Sequence, residues 1–266
     1  QLGGRTFNSC SSLSKVEFGS DSQLQYIGQE CFAFCESLGE FDMPDKVSVL
    51  EEGDSGIGIF TGSSIWRLKL SAALTSIPSY LGLEESLTSL SFGENPQLTS
   101  IEEGAFWGYI KLREITIPEG VRTIGYGAFN DCTRLETVSF PSTLETIEGP
   151  LFDNCEAVKD IYCYSTTPPQ FQYGSDNSVF NTATLFVPAG TKEKYQAAYY
   201  WKNFNKIVEM GPTTKGDVNG DGAVDAGDIV EVVNIIARGV YADDADMNGD
   251  GKVNVADAIM LVNIIE

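Results

Sequence analysis

Two stretches near the C-terminus hold closely spaced oxygen-bearing side chains in a repeating order. Asp217, Asn219, Asp221, Asp225 and Asp228 recur 29 residues later as Asp246, Asn248, Asp250, Asn254 and Asp257, with glycine directly after Asp221 and Asp250. They fill positions one, three, five, nine and twelve of a loop whose sixth residue is glycine. A hard cation takes about six or seven oxygens, and this spacing curls them around one centre, with the backbone carbonyls of Ala223 and Lys252 at position seven. Glycine at position six permits the sharp turn without a side-chain clash. Position twelve is Asp in both loops where Glu is commoner, and the shorter acid binds through one oxygen or draws the helix closer. Two such loops in phase predict two bound calcium ions. Without a cation, each loop would crowd like charges together.

The elements that must position these loops are apolar helices, predicted over Asp228 to Arg238 and Asp257 to Ile265. Ile229, Val232, Val233, Ile235 and Ile236 align with Ala258, Leu261, Val262, Ile264 and Ile265, and Asn234 aligns with Asn263. This loop-helix duplication lacks the leading helix of an EF-hand and resembles a type I dockerin. The resemblance implies attachment to a cohesin-like domain on a scaffold or cell-surface protein. It puts partner-reading residues at loop positions ten and eleven, here Ala226, Gly227, Val255 and Ala256, and further along the helices at Val233, Asn234, Arg238, Val262 and Asn263. Val230 joins the surface these residues would form. The Ser-Thr pair common in clostridial dockerins is absent, so cohesin specificity does not carry over. A second reading has the module pack on its own repeat domain as a cap, with that surface buried.

The rest of the chain is governed by a period near 23. Phe106, Phe129 and Phe152 are preceded by Ile101, Ile124 and Ile147 and followed by Leu112/Ile115, Leu135/Val138 and Val158/Ile161, then by Ile117, Phe140 and Cys163. One unit of this kind cannot bury its apolar side alone, whereas a stack can. Seven units are anchored at Phe7, Phe32, Phe60, Leu81, Phe106, Phe129 and Phe152. Strands are expected near Glu114 to Ile117 and Thr137 to Phe140, ended by Pro44, Pro118 and Pro141 at the sheet edge. Glu51 to Gly58 reads as a loop insertion, and Leu81 departs from the aromatic anchor.

The frame Ile-x4-Phe-x2-Cys-x2-Leu-x2-Ile, with Ile-Pro after it, resembles bacterial surface-antigen (BspA-like) leucine-rich repeats, and the run Leu185 to Gly190 followed by Tyr195 and Trp201 to Phe204 resembles the end segment of Bacteroides-type members. The resemblance implies an adhesin or host-protein binder. The expected fold is an α/β solenoid of leucine-rich repeats with a C-terminal cap, followed by a small all-α calcium module. The boundaries read as 1–163 for the solenoid, 164–210 for the cap, 211–215 for a linker and 216–266 for the calcium module.

Composition narrows the function. The formal net charge is -21, which disfavours nucleic acid and anionic membrane and favours cations or a basic partner. Histidine is absent, which removes the usual neutral-pH base and the Cys-His and Ser-His dyads. Cys10, Cys35, Cys132 and Cys155 fall three residues after an anchor and read as buried free thiols, with a Cys132–Cys155 bridge as the alternative. No run is apolar enough to span a membrane. The first residues already lie inside a repeat, so the chain looks cut or processed at its start.

The outward strand pairs Lys15/Glu17, Glu40/Asp42, Arg67/Lys69, Ser89/Ser91, Glu114/Thr116, Thr137/Ser139 and Asp160/Tyr162 form neither a basic stripe nor an aromatic platform, and nothing predicts a catalytic cleft. Trp201 is expected in the cap core, Trp66 at a repeat apolar position, and Trp107 partly exposed. The reading is a non-enzymatic extracellular or cell-surface recognition protein whose repeat face binds an extracellular protein. Its alternatives are the purely structural cap and a carbohydrate-associated component, the latter if Tyr162, Tyr164, Phe171 and Tyr173 cluster at the surface.

Overall fold

The computed structural model describes residues 1–53, 56–173, 179–210, 215–218, 224–238 and 242–265, without the side chains of Arg238 and Asp243. The repeats wind into a parallel β-solenoid. Thr137 pairs with Glu114 on one side and with Asp160 on the other, so neighbouring coils are offset by the sequence period of 23. Inward residues at period two, such as Val138 and Phe140, are buried, and the residues between them face outward.

Two columns of strands run along the stack. The longer strands form one sheet from Glu40–Asp42, Arg67–Leu70 and Ser89–Phe92, and a second from Glu114–Thr116 through Thr137–Phe140, Asp160–Cys163 and Thr184–Val187 to Lys206–Glu209. The other column consists of two-residue strands, among them Ser100–Ile101, Thr123–Ile124 and Thr146–Ile147, whose isoleucines are buried. Val16 and Phe18 of the first unit are half-buried and belong to no strand. Helices in this part of the molecule are confined to its C-terminal end, and hydrogen-bonded turns carry the chain around the other coils.

The anchors stack as an aromatic ladder. Phe7 and Phe32 lie 5.3 Å apart, Phe32 and Phe60 5.9 Å, Phe106 and Phe129 5.5 Å, and Phe129 and Phe152 6.0 Å, all stacked with nearly parallel rings. Leu81 interrupts it, and the longer column is interrupted between the same two coils, after Ser89–Phe92. Leu90 and Phe92 are only half-buried beside this break. A second device runs parallel to the rings: the thiols of Cys35, Cys132 and Cys155 donate to the carbonyls of Phe7, Phe106 and Phe129 at 3.2, 3.0 and 2.9 Å. All six cysteines are free and five are buried. Cys10, expected to be buried like the others, is exposed in the first coil.

The last coils are closed by short helices α1 (Val179–Thr182) and α2 (Lys192–Ala197) and by the two strands that extend the longer sheet. Thr191 precedes α2, and its hydroxyl donates to the Pro188 carbonyl at 2.6 Å and caps no helical amide. Trp201 is buried and donates to the Pro169 carbonyl at 2.7 Å, while Tyr195 donates to the Ser165 carbonyl at 2.7 Å. The strand Lys206–Glu209 is tied to α2 by the Lys192 amide, which donates to the Glu209 carboxylate at 2.9 Å.

Candidate functional site

The two C-terminal helices, α3 (Ala226–Arg238) and α4 (Val255–Ile265), pack on each other through Val232, Ile235 and Leu261, with Ala245 and Met247 closing the core. Each begins two residues earlier than the sequence expectation, so the Asp at position twelve lies inside its first turn. There Asp228 and Asp257 are fully buried.

The second loop is built almost entirely by its carboxylates. Asp246 accepts from the amides of Gly249 at 2.7 Å, Asp250 at 3.1 Å and Gly251 at 2.8 Å. Asp257 reaches back to the Asn248 amide at 3.2 Å and to the Asn254 amide at 2.8 Å, which ties loop positions three and nine to position twelve. Asn248 and Asp250 bond the amides two residues on, those of Asp250 and Lys252, at 2.8 and 2.9 Å. The Asn254 side chain accepts from Ala256 at 2.9 Å and holds the start of α4. Gly249 and Gly251 have φ of 74° and 79°, a left-handed backbone that L side chains rarely adopt and that tightens the turn.

In the first loop Asp217 and Asp228 are buried, and Asp228 accepts from the Asp225 amide at 2.7 Å. The other expected ligands of that loop, Asn219, Asp221 and Ala223, lie outside the described residues. Among the described residues no three His, Cys, Asp or Glu side chains converge closely enough to hold a metal by themselves. What the described loops offer is an all-oxygen donor set of Asp and Asn side chains with backbone carbonyls, with the end carboxylates already withdrawn from solvent. That chemistry fits a hard cation.

The residues assigned to partner recognition form a surface. Val230, Val233 and Val255 are 60%, 52% and 63% exposed, and Ala226, Gly227, Ala256 and Asn263 are exposed as well. Asn234 and Val262 are half-buried, Asn234 donating to the Glu231 carboxylate at 3.2 Å. The Arg238 side chain lies outside the described residues. Sequence reasoning overlooked Ile259, Met260 and Ile264, which are exposed on α4. Ile259 holds the same offset in the second half that Val230 holds in the first, a signal present in the alignment of the halves.

On the solenoid, Arg67 bridges Glu40 at 2.8 Å and Asp42 at 2.9 Å across neighbouring coils, and Glu136 lies between Arg113 and Lys159 at 2.9 and 2.6 Å. These pairs neutralise the outward face locally. Tyr162 stacks on Phe186 at 4.6 Å and lies 6.5 Å from Tyr164, but Phe171 turns inward onto Tyr200 at 3.7 Å, so the anticipated four-ring surface cluster does not form. Tyr164 is exposed overall, but partial desolvation of its hydroxyl, with Tyr162, Glu231 and Asp244 nearby, raises it to about 12. Trp66, expected to take a buried repeat position, is largely exposed, because the adjacent Ile65 fills the core instead.

Residues 1–106 and 54–175 match the BspA type leucine-rich repeat region in six copies. The chain belongs to the BspA-type leucine-rich repeat family. Residues 215–266 of this BspA-type protein match the dockerin type I domain. Together the two make a leucine-rich repeat architecture followed by a dockerin module. No curated protein matches the chain.

Among solved structures, a leucine-rich repeat protein from Bacteroides ovatus is 16% identical over 78% of this chain and 63% of its own, with a TM-score of 0.39. The T. pallidum leucine-rich repeat protein is 18% identical over 70% of this chain and 81% of its own, with a TM-score of 0.46. The pneumococcal vaccine antigen PcpA is 13% identical over 71% of this chain and 66% of its own, with a TM-score of 0.43. Among the described residues no helix is long and apolar enough to cross a membrane.

Proposed function

We propose that this BspA-type protein is an extracellular or cell-surface recognition rod tethered through its dockerin module, and that each loop of that module holds one calcium ion. Asp217, Asn219, Asp221, Asp225 and Asp228, with the Ala223 carbonyl, would hold the first. Asp246, Asn248, Asp250, Asn254 and Asp257, with the Lys252 carbonyl, would hold the second. The ion supplies positive charge that offsets the crowded carboxylates. The chain itself sets the loop shape through its Asp-to-amide bonds, and the position-twelve aspartates pin each loop to its helix.

The observation that carries the attachment reading is the exposure of Val230, Val233 and Val255 with their small neighbours Ala226, Gly227 and Ala256. A module serving only as a cap on its own solenoid would bury that apolar face, since leaving it in water forfeits about 25 cal/mol per Å². Residues 1–163, 164–210 and 216–266 then act as rod, end cap and tether, joined by the segment 211–215.

The test is capture of a panel of cohesin domains by the full chain, with calcium and with chelator. Calcium-dependent binding that the double variant Val230→Asp/Val255→Asp weakens at least about 100-fold, with two ions still bound in a calorimetric titration, supports the reading. Two bound ions with no cohesin captured would return the module to a structural role. Binding unaffected by the double variant would move the interface elsewhere.

A further inference from the structure

The break in the aromatic ladder opens a cleft. The amides of four anchors bond to a carbonyl of the next coil: Phe7 to Cys31, Phe32 to Ile59, Phe60 to Leu81 and Phe106 to Ala128, each at 2.9 Å. Among the described residues no such bond leads from Leu81 to the coil of Phe106, nor from Phe129 to the coil of Phe152, and it is the missing ring stack and the missing pairing of the longer strands that set the Leu81 joint apart. The coils of Leu81 and Phe106 remain joined on either side, by the Glu102 amide to Ile77 at 3.0 Å and the Ile110 amide to Glu84 at 3.1 Å, so the opening is framed by backbone. It has a volume of about 450 Å³, with Ser79, Tyr80 and Glu84 on one wall and Glu103, Gly104, Trp107 and Gly108 on the other.

The walls are preorganised. The Trp107 indole donates to Asp131 at 2.6 Å, and the other oxygen of Asp131 accepts from Asn154 at 2.7 Å, so the ring is held from the next coil while staying 47% exposed. Tyr80 faces it at 36% exposed. Gly108 has φ of 76°, and a Cβ there would reach Glu84, so a side chain would both strain the turn and narrow the opening.

The charge points to one class of ligand. Glu84 and Glu103 both line the cleft, no Lys or Arg lines it, and neither carboxylate enters an ion pair among the described residues. Burial raises the Glu84 carboxyl, although the Tyr80 hydroxyl bonds to it, a state that a cation would relieve. Anions are repelled. A neutral sugar needs several donors as well as acceptors, and of the two lining hydroxyls that of Tyr80 is already engaged with Glu84, which leaves only Ser79.

We propose that this cleft receives a lysine or arginine side chain of a protein ligand, the charged head between Glu84 and Glu103 and the aliphatic stem against Trp107 and Tyr80. The proposal rests on the reading of the rod as a protein-recognition element and names the chemistry it recognises. Its test does not depend on the tether, because cohesin capture reads that separately.

The experiment follows the indole N–H signals of the full chain by NMR during titration with Nα-acetyl-lysinamide and Nα-acetyl-argininamide, with Nα-acetyl-norleucinamide and cellohexaose as controls. The cationic probes should shift the Trp107 signal with a Kd of about 1–10 mM, as one charge pair and one ring contact imply. In the Glu84→Gln/Glu103→Gln variant the affinity should fall at least about tenfold. Unmoved Trp66 and Trp201 signals show in the same spectra that the variant is folded. An equal response to the norleucine probe, a saturating response to cellohexaose alone, an unchanged Kd in the variant, or no Trp107 shift would each overturn the proposal.

Discussion

Cys132 and Cys155 occupy equivalent places three residues after their anchors, and each thiol donates to the anchor carbonyl one coil earlier. Each of those carbonyls also accepts from the backbone amide three residues on, Tyr109 to Phe106 and Cys132 to Phe129, both at 3.3 Å, so the thiol adds a second donor to a buried acceptor. Burial pushes the Cys155 thiol up to about 12, and Cys132 higher still, so neither forms the reactive thiolate at physiological pH. In native protein a thiol reagent should therefore modify Cys10 fast and the other five only on unfolding, when all six react. Six counted free thiols in denaturant also exclude a Cys132–Cys155 bridge, whereas four would show that one disulfide had formed. The spacing made the burial legible. The thiol-to-carbonyl bond was not, because its acceptor lies 26 residues away and belongs to the backbone. The loop-helix duplication of the dockerin module was the most legible feature of all, since its oxygen-bearing residues lie close together in sequence and their spacing is fixed by the loop itself.

At the scale of elements, the phenylalanine anchors and the longer strands could be read directly, because residues such as Phe129, Val138 and Phe140 recur at a constant offset and are buried. The two-residue strands could not, since a pair such as Thr123–Ile124 is too short to show an alternation. The strand Lys206–Glu209 was missed for a different reason: its exposed lysine and glutamate leave only one strongly buried apolar residue, Ile207. The ladder also grades stability. Phe129, stacked on both sides, should cost about 3–5 kcal/mol when changed to Ala. Leu90, half-buried beside the break, should cost less than half as much on the same change, and urea unfolding of the two variants compares them. Equal losses would mean that the break does not loosen its neighbours.

For the whole molecule, the composition is informative about which interactions are favoured. Of the net charge of -21, the stretch from Asp217 to Glu266 carries -9. Calcium removal should therefore unfold α3 and α4 while the solenoid, with its own continuous core, melts where it did before, because a bound ion stabilises only the state that binds it. Circular dichroism with and without chelator checks this, and loss of the solenoid transition on chelation would show that the two parts fold as one. The Asp246→Ala variant should bind one ion fewer in a calcium titration. The cleft at Trp107 lay beyond sequence reasoning because its lining comes from two coils. Only the substitution at Leu81 marked the place.

That substitution also bears on how the molecule would carry load. A rod that grips a ligand and is held at its C-terminal end transmits tension along its backbone, and the weakest joint yields first. Between Phe92 and Glu114 the longer sheet has no ladder of hydrogen bonds and the core has no ring stack, which leaves the joint to the short strands Ser76–Ile77 and Ser100–Ile101, so the coils should part there first. Pulled from its ends, the solenoid should give way in two steps, its N-terminal coils releasing as one block and its C-terminal coils as another.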